Sequence, residues 1–333
     1  MINSSDNPVY SAALAYQTTA ALTAAVKLDI FTLIGANAKT SDQLALETGA
    51  SVRGLRILCD YLTVIGLLAK DGASYRLAPA SRRYLDTASP AALGGTIDFL
   101  AAPEQISLLL DDPVSYVRRG GSPGLGSLAP DHPIWVRFAR AAVPFAALTA
   151  KRVAAYVRTL PDAPRRVLDV AAGHGLYGIE VANALPRLSV TAIDWPSVLA
   201  VAQANAEAAG VADRYTALPG SAFEVDWGNE FDLILLPNFL HHFGHEDCVA
   251  LLKKAKEGLS PGGRVLVIEF VPNEDRVSPP VEATFAFWML ASTPNGDAYT
   301  LSDFRHMALD AGFRRVTSRP LAPTPQTLVI FED

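Results

Sequence analysis

The most constraining feature of the chain is a short apolar strand that runs into a glycine-rich turn. Residues 167–170 read Val-Leu-Asp-Val, and Gly173, Gly175 and Gly178 follow before a helical pattern begins. Glycine lets the backbone bend sharply and lets a ligand lie against it without an intervening Cβ atom. The helix that follows directs unpaired N–H groups and a positive dipole end toward that turn. The sequence therefore predicts a nucleotide-type cofactor site at the carboxyl end of the first strand of an α/β sheet.

The composition is that of a folded, acidic protein. Of the 333 residues, 50% are apolar and 19% are charged, and the formal net charge is −6. A protein devoted to nucleic acid needs a basic face, so we expect no nucleic-acid partner. Cys59 and Cys248 lie far apart in the chain, which favours a reducing compartment over a disulfide framework. No apolar run approaches the roughly 18 residues of a membrane span, and residues 1–6 lack a basic targeting flank. We expect a cytoplasmic protein without a membrane partner.

Residues 1–100 have the pattern of a mostly α-helical winged-helix domain. Thr40-Ser41 and Ser51 are typical helix caps, and Asp71-Gly72 is typical of a tight turn between two short strands. Such a layout can bind DNA or serve as a packing and dimerisation module. Basic and acidic residues balance in this region, so the basic patch of a DNA-binding surface is missing. Dimerisation is the favoured interpretation.

The rest of the chain divides into a bridge and an α/β domain. Residues 101–160 mix loop-like segments with an apolar helical stretch, and we interpret them as a helical bridge that contributes to the active site. Residues 161–333 alternate strands and helices, which predicts a Rossmann-like, doubly wound parallel sheet. The link between strands 313–318 and 327–331 is too short for a crossover helix, so these strands are expected to form an antiparallel hairpin.

The glycine motif alone does not identify the cofactor. Gly173 to Gly178 match the G-x-G-x-x-G pattern of dinucleotide sites, and Asp194 ends the next strand, where a carboxylate can bind a ribose diol or simply cap a helix. A ribose contact suits NAD and S-adenosylmethionine equally. Asp169 would repel a pyrophosphate but can help hold an amino group. This carboxylate, the terminal hairpin and a predicted tight turn at residues 260–264 favour the methyl donor.

Three histidines follow the fourth predicted strand, at the sheet edge where ligands bind in such folds. His241, His242 and His245 could bind a metal, but adjacent histidines rarely point the same way and no cysteine joins them. We therefore predict no metal site. A general base that deprotonates an acceptor hydroxyl is the better interpretation, because histidine titrates near working pH.

Taken together, these motifs resemble a known enzyme family over nearly the whole chain. Residues 160–333 resemble a class I S-adenosylmethionine-dependent methyltransferase. The chain as a whole resembles the O-methyltransferases of the plant caffeate and acetylserotonin type, including bacterial natural-product members. The resemblance implies an enzyme of that class, a small-molecule acceptor and a homodimer made by the N-terminal winged-helix domain.

The resemblance also implies a set of cofactor contacts. Ala171, Ala172 and Gly173 match a loop that is usually three glycines in the family, and Gly175 continues the motif. Asp194 matches the ribose carboxylate. Ser221 stands where the family usually has an aspartate beside the adenine, and a hydroxyl binds less strongly than a carboxylate there. The remaining implied contacts are Asp169, Trp195, Ala222, Phe223 and Asn238.

Catalytic residues and an acceptor pocket follow from the same resemblance. His241 matches the family's base and Glu269 the carboxylate beside it, while Ala298 stands where the family often has a second glutamate. Either one carboxylate suffices, or Asp297 compensates, or the chemistry differs from plant phenol methylation. The pocket side chains that the resemblance implies are Phe285 and Met289, and we expect Trp135 and Phe138 of the bridging helix to close over the cofactor beside them. Without the resemblance, an aromatic stripe at this spacing is more often core than pocket.

Other residues have simpler interpretations, and other activities stay open. Lys253, Lys254 and Lys256 have the spacing of a solvated helix face. Some relatives use the bound cofactor for decarboxylation, hydroxylation or pericyclic reactions, and N- or C-methylation is a further alternative. Release of S-adenosylhomocysteine separates methyl transfer from the reactions that leave the cofactor intact.

Overall fold

The computed structural model describes residues 7–124 and 128–333. The predicted absence of a targeting flank at residues 1–6 lies outside that part. The chain divides into two compact units, residues 1–106 and 107–333. Within the described residues, no helix is both long and apolar enough to cross a membrane. The functional boundaries at residues 100 and 160 stay a prediction.

The first unit is mostly α-helical with a small antiparallel sheet. Its strands pair in the order β1-β3-β2. The helices are α1 (Pro8–Ala13), α2 (Ala15–Lys27), α3 (Ile30–Ile34), α4 (Ser41–Thr48), α5 (Val52–Val64), α6 (Pro79–Tyr84), α7 (Gly94–Leu100) and α8 (Pro103–Leu110), in which the boundary between the units falls; the strands are β1 (Lys39–Thr40), β2 (Leu68–Asp71) and β3 (Ser74–Leu77).

Local signals fix this unit as the sequence predicts. The Thr40 side chain accepts from the Gln43 amide, and the Gln43 side chain accepts in return from the Thr40 amide, which starts α4. Gly49 ends that helix in the left-handed region at φ 71°. Ser51 caps α5. The apolar face of α5 packs into a core with the hairpin of β2 and β3. The helix-turn-helix and hairpin are therefore confirmed as local structure.

The second unit is a sheet covered by helices. Its helices are α9 (Pro113–Arg119), α10 (Pro133–Val157), α11 (Leu176–Ala184), α12 (Pro196–Ala208), α13 (His245–Gly258), α14 (Pro280–Ser292) and α15 (Leu301–Ala311), with short 3₁₀ turns at Ala212–Arg214 and Leu240–His242. Its strands are β4 (Arg166–Val170), β5 (Ser189–Asp194), β6 (Tyr215–Pro219), β7 (Phe231–Pro237), β8 (Leu259–Glu269), β9 (Arg315–Pro320) and β10 (Thr327–Glu332).

Among the described residues, these strands form one sheet in the order β6-β5-β4-β7-β8-β10-β9. Strands β4 to β8 pair in parallel, whereas β10 pairs antiparallel with both β8 and β9. Successive residues of β7 pack into different cores, Leu233 on one side and Ile234 on the other. Helices α10, α11 and α12 supply one core, while α13 and α15 supply the other. Because both faces are covered, the central strand β7 carries a near-continuous apolar run rather than an alternating pattern.

The predicted fold class is confirmed, with one local correction. The sheet is mostly parallel, the terminal strands form the expected hairpin, and the N-terminal unit is helical. The predicted tight turn at residues 260–264 is instead a bulge within β8. Leu259 pairs with Phe231 and Arg264 with Leu233, so the intervening residues loop out of the ladder. Gly262 lies at φ 79° within this bulge, a conformation that glycine adopts without penalty.

Candidate active site

The predicted cofactor residues lie at the carboxyl ends of adjacent strands. The glycine loop follows β4, Asp194 ends β5, residues 220–223 follow β6, and Asn238 follows β7. Backbone bonds join these ends: Ala172 N–H donates to Ile193 O at 3.0 Å, and Gly220 N–H donates to Asp194 O at 2.9 Å. The sheet topology therefore gathers residues that are distant in sequence along one edge.

The glycine loop is a left-handed turn with little room for side chains. Ala171, Gly173 and Gly175 have φ values of 52°, 58° and 75°. A Cβ atom on Gly175 would lie 2.7 Å from the Tyr215 hydroxyl oxygen, so that position requires glycine. Ala171 occupies a left-handed conformation that costs an alanine roughly 1–2 kcal/mol. The family's preference for glycine at this position thus has a backbone cause.

Asp169 is fully buried behind the loop. Its Oδ2 accepts from the Gly178 amide at 2.9 Å, and its Oδ1 has no hydrogen-bond partner among the described residues. Burial raises the pKa of Asp169 to about 8; the Gly178 amide lowers it and the charge of Asp194 raises it further. One oxygen therefore fixes the start of α11, and the other has no partner in the described chain; its predicted contact with a positively charged ligand group stays a prediction.

Asp194 connects β5 to the loop. Its Oδ2 accepts from Gly173 N–H at 2.8 Å, and its Oδ1 accepts from Trp195 N–H at 2.7 Å. Burial raises the pKa of Asp194 to about 6, against the opposing effect of these two amides. The half-buried Trp195 precedes α12 as its N-cap. Asp194 thus has a structural role in shaping the loop, and each oxygen keeps a lone pair for a ribose hydroxyl.

The segment after β6 is a compact turn closed by a lysine. Ser221 Oγ accepts from Phe223 N–H at 3.3 Å, Ala222 is buried, and the Phe223 ring is 40% exposed. Lys254 Nζ donates to the carbonyl oxygens of Ala222, Phe223 and Val225 at 3.0, 3.0 and 2.7 Å. The interpretation of Lys254 as part of a solvated face is therefore wrong. Partial burial lowers the pKa of Lys254 below its ordinary value.

Asn238 lies at the end of β7 in a left-handed conformation, φ 51°. Its Nδ2 donates to the Tyr177 hydroxyl oxygen at 3.1 Å, and its Oδ1 is buried without a hydrogen-bond partner in the described chain. Tyr177 is fully buried, and burial raises its pKa. The sequence reasoning missed Tyr177, although its place between Gly175 and Gly178 was a signal that it faces the loop. Asn238 presents a second unpaired acceptor beside that of Asp169.

His241 and Glu269, separated in sequence, form a buried pair. His241 Nδ1 lies 2.6 Å from Glu269 Oε2, and Glu269 Oε1 accepts from the His241 amide at 3.2 Å. Their relative exposures are 6% and 2%. An ionised carboxylate can only accept, so Nδ1 is the donor of this bond, and in the neutral imidazole Nε2 then has a lone pair. The structure thus brings together the two residues predicted to be catalytic.

The other histidines of this segment have different surroundings. The His242 ring lies 4.3 Å from that of His241, and burial together with the His241 charge lowers the pKa of His242 well below its ordinary value. His245 is exposed, and its Nε2 lies 3.0 Å from Asp310 Oδ2. In residues 7–124 and 128–333, no group of three or more metal-ligating side chains could hold an ion.

The segment that could supply a second carboxylate contacts His241 through its backbone. The Asp297 amide donates to the His241 carbonyl oxygen at 3.1 Å. The Asp297 carboxylate pairs with Arg276 at 3.3 Å rather than with the imidazole, and Ala298 is buried. A Cβ atom on Gly296 would lie 2.2 Å from the His241 carbonyl oxygen. Glu269 is therefore the carboxylate bonded to the His241 ring, and Asp297 does not replace the family's second glutamate there.

Part of the predicted acceptor pocket lies beside this pair. The Phe285 ring packs edge-on against His241, with centroids 4.9 Å apart, and stacks on Phe270 at 4.3 Å. Met289 follows on the same helix and is buried. Phe270 directly follows Glu269 in the chain, but nothing in the sequence distinguished it from a core residue. The Phe285 ring thus lies against the imidazole, and Phe270 lies behind Phe285.

The two predicted pocket residues of α10 are placed differently. Trp135 is half-buried and its Nε1 donates to the Ala129 carbonyl oxygen at 3.0 Å. Phe138 is 47% exposed. Neither residue has the ring contact with His241 that Phe285 makes, so their place in the pocket stays a prediction.

Comparison with known proteins places this geometry in a family. Residues 114–314 match the family model of the O-methyltransferase domain, and residues 10–87 match that of the O-methyltransferase dimerisation domain. The 3-hydroxy-5-methyl-1-naphthoate 3-O-methyltransferase of Streptomyces sahachiroi is 28% identical over 304 residues, covering 90% of this chain and 86% of the relative.

Solved structures agree with these matches. A protein from Nostoc punctiforme, solved as a candidate O-methyltransferase, is 43% identical with a TM-score of 0.92, covering 98% of each chain. Human N-acetylserotonin methyltransferase in complex with S-adenosylmethionine shares the fold, with a TM-score of 0.83 at 21% identity, covering 100% of this chain and 99% of the human one. The family uses S-adenosylmethionine, so the resemblance seen in the motifs is confirmed. The chain belongs to the O-methyltransferase family, whose members carry out S-adenosylmethionine-dependent methylation of hydroxyl compounds.

Proposed function

We propose that this enzyme methylates the hydroxyl group of a small, flat, hydrophobic molecule, with His241 as the general base. The observation that carries the proposal is the buried His241–Glu269 pair, 2.6 Å apart, at the carboxyl edge of the sheet. Such a pair, placed next to a cofactor cradle, has the arrangement of a base held by an orienting carboxylate.

The cradle fits the amino-acid and ribose parts of S-adenosylmethionine. The unpaired Oδ1 atoms of Asp169 and Asn238 can accept from the cofactor's ammonium group, and Asp194 can accept from the ribose diol. The strand order β4-β5-β6 supports a position of the nucleoside base over residues 221–223. The 40% exposed ring of Phe223 offers an apolar surface there.

The residues around His241 account for the proton chemistry. The bound cofactor supplies an electrophilic methyl group, and an acceptor hydroxyl must lose its proton to become a good nucleophile. His241 Nε2 takes that proton while Nδ1 stays bonded to Glu269. The imidazolium that forms is stabilised by the carboxylate at 2.6 Å, in surroundings too dry to screen the attraction. A general base of this kind contributes typically about 10²–10⁴-fold to a rate.

The surroundings of the base support an aromatic acceptor. Phe285 and Phe270 stack on each other and Phe285 packs edge-on to His241, so a flat ring can pack against the same surface. The buried Met289 adds an adaptable apolar side chain. The Streptomyces sahachiroi relative is named for a hydroxylated naphthoate, which belongs to this chemical class.

The dimerisation domain supports a homodimer. Helices α2 and α5 form an open, largely apolar groove of about 400 Å³ on the first unit. Ile57 in this groove is 42% exposed and Tyr16 is 58% exposed. Exposed apolar side chains gathered in one place are typical of an interface. We propose that a second copy of the chain covers them.

A methyl-transfer screen tests the proposal. Purified enzyme is incubated with S-adenosylmethionine and hydroxylated benzoates, naphthoates and polyketides, and S-adenosylhomocysteine and the methylated product are measured by mass spectrometry. With an accepted substrate, His241→Ala should abolish turnover and leave S-adenosylhomocysteine affinity near that of the parent enzyme. His245→Ala, which removes an exposed histidine, is the matched control and should keep activity. Full activity of His241→Ala would refute the base assignment, and substrate conversion without S-adenosylhomocysteine would favour a reaction other than methyl transfer.

A further inference from the structure

In the turn after β6, three backbone carbonyl oxygens surround the ammonium group of Lys254. The carbonyls of Ala222, Phe223 and Val225 converge on one point, where Lys254 Nζ lies within 3.0 Å of each. The Ala222 carbonyl also accepts from Trp227 Nε1 at 2.9 Å, and the Lys254 ammonium lies 5.1 Å from the Trp227 ring centre. An ammonium has three N–H donors and no acceptor, so it can donate one hydrogen bond to each of the three carbonyl oxygens.

The ammonium offsets an unfavourable arrangement of the backbone. Three carbonyl dipoles with their negative ends together repel each other. Without the ammonium, the Ala222 oxygen keeps Trp227 Nε1 as a donor, whereas the oxygens of Phe223 and Val225 lose the donor that Lys254 supplies and must turn toward water. Lys254 belongs to α13, which comes after β7 in the chain. The turn after β6 is therefore closed by a residue that is distant in sequence.

The turn in question is the one over which the nucleoside base is placed. Gly220 N–H donates to the carbonyl of Asp194, the ribose candidate, so the turn begins directly beside that residue. Ser221 Oγ and the exposed Phe223 ring belong to the same turn. A change in its shape therefore changes the base end of the cofactor site.

We propose that Lys254 is a positioning residue for the cofactor: its ammonium holds residues 222–225 in the shape that receives the base of the nucleoside. The inference rests on the proposed placement of the nucleoside along β4, β5 and β6. Lys254 does not touch the cofactor in this account. It keeps the binding turn closed before the cofactor arrives, so its loss reduces the fraction of molecules able to bind.

The test compares two ligands and two neighbouring lysines. Lys254→Met keeps the length and apolar stem of the side chain but removes the donors. Lys253→Met is the matched control, because Lys253 is the exposed neighbour on the same helix. Isothermal titration measures the Kd of each variant for S-adenosylhomocysteine and for 5′-methylthioadenosine, which keeps the nucleoside but lacks the amino-acid end.

In Lys254→Met we expect the Kd for both ligands to rise about ten-fold. This is the rise that follows if only about a tenth of the molecules have the turn closed. Lys253→Met should bind like the parent. If the Kd rises by the same factor for the two ligands, the defect lies at the nucleoside that both ligands share. Parent-like binding by Lys254→Met overturns the proposal, and so does a much larger loss for S-adenosylhomocysteine than for methylthioadenosine, which indicates general loosening.

Folding and cofactor placement are separated by two further measurements. If Lys254→Met does not fold by circular dichroism, Lys254→Gln is compared in its place; its amide can donate to at most two of the three carbonyls, so a smaller rise in Kd, equal for the two ligands, is expected. Failure of the parent enzyme to bind either ligand would refute the placement of the nucleoside itself, and with it the role of Lys254. Binding by the parent with no change in either Lys254 variant would refute only the role of Lys254.

Discussion

Replacing Glu269 by glutamine gives the sharpest test of the catalytic pair. Glu269 uses both oxygens as acceptors, one for the His241 ring at 2.6 Å and one for the His241 amide at 3.2 Å. Glutamine has the same shape but only one acceptor oxygen, and its NH₂ group donates. If the glutamine oxygen faces the ring, its NH₂ group faces the His241 backbone N–H, which is also a donor. If the NH₂ group faces the ring, the imidazole must carry its proton on Nε2, which then cannot act as the base. Glu269→Gln therefore disturbs both the charge and the orientation of the imidazole while leaving the packing volume unchanged.

The size of the effect follows from the burial of the pair. Both side chains are at most 7% exposed, so water does not screen their attraction. Breaking a buried ion pair by removing one partner costs about 3–5 kcal/mol. The pair is fully charged only when His241 holds the acceptor's proton, so this cost falls on the transition state. At 1.36 kcal/mol per factor of ten, kcat should fall by about 10²–10⁴.

The assay is S-adenosylhomocysteine release under saturating cofactor and acceptor, with cofactor affinity measured separately by titration. Asp310→Asn is the matched control, because it breaks a His–carboxylate pair of similar geometry, His245 Nε2 to Asp310 Oδ2 at 3.0 Å, that is exposed. An exposed pair contributes at most about 1 kcal/mol, so this variant should retain its kcat. A Glu269→Gln enzyme within a factor of three of the parent would show that the carboxylate does not support the base.

Other predictions concern the cofactor cradle and the dimer. Asp194→Ala removes the acceptor of the Gly173 and Trp195 amides, and should raise the Kd for S-adenosylhomocysteine, measured by titration, about ten-fold or more. Burial raises the pKa of Asp169 to about 8, whereas an unfolded aspartate titrates near 3.9. The native state therefore keeps a proton that the unfolded state has lost, and this group's contribution to stability falls as pH rises from about 4 to about 8. Asp169→Asn should lack that decline. The difference between its free energy of unfolding and that of the parent, measured in urea, should therefore rise between about pH 5 and pH 8. A difference that does not change with pH would contradict the raised pKa of Asp169. Ile57→Glu in the α2–α5 groove should yield monomers by light scattering, while Leu46→Glu, at a position 87% exposed outside the groove, should not.

Much of the fold and part of the site follow from local sequence signals. Thr40, Ser51 and Gly49 act as caps because capping depends on neighbours within a few residues. The strand and helix alternation predicted the sheet, since the connections are short and the strands are buried on both faces. His241 and Glu269 meet because His241 lies in the short turn that follows β7, Glu269 ends β8, and the two strands are adjacent.

The features that the sequence did not predict depend on distant contacts. Lys254 has the spacing of a solvated residue on α13, and only the packing of that helix beside the β6 turn gives it three carbonyl partners. Residues 260–263 have turn composition, but they lie within β8 and form a bulge in its pairing with β7. The split use of Asp169, one oxygen for Gly178 and one unpaired, depends on how closely α11 approaches β4.

The antiparallel position of β10 protects an otherwise open edge of the sheet. The strand that carries Glu269 is β8, and its outer partner is β10, with Thr327 opposite Glu269. Without β10, β8 would be the edge strand of the parallel part of the sheet. An open apolar edge of this kind is a template for wrong strand pairing. Residues 327–331 therefore shield the strand of the proposed catalytic carboxylate from aggregation, although they lie far from it in the chain.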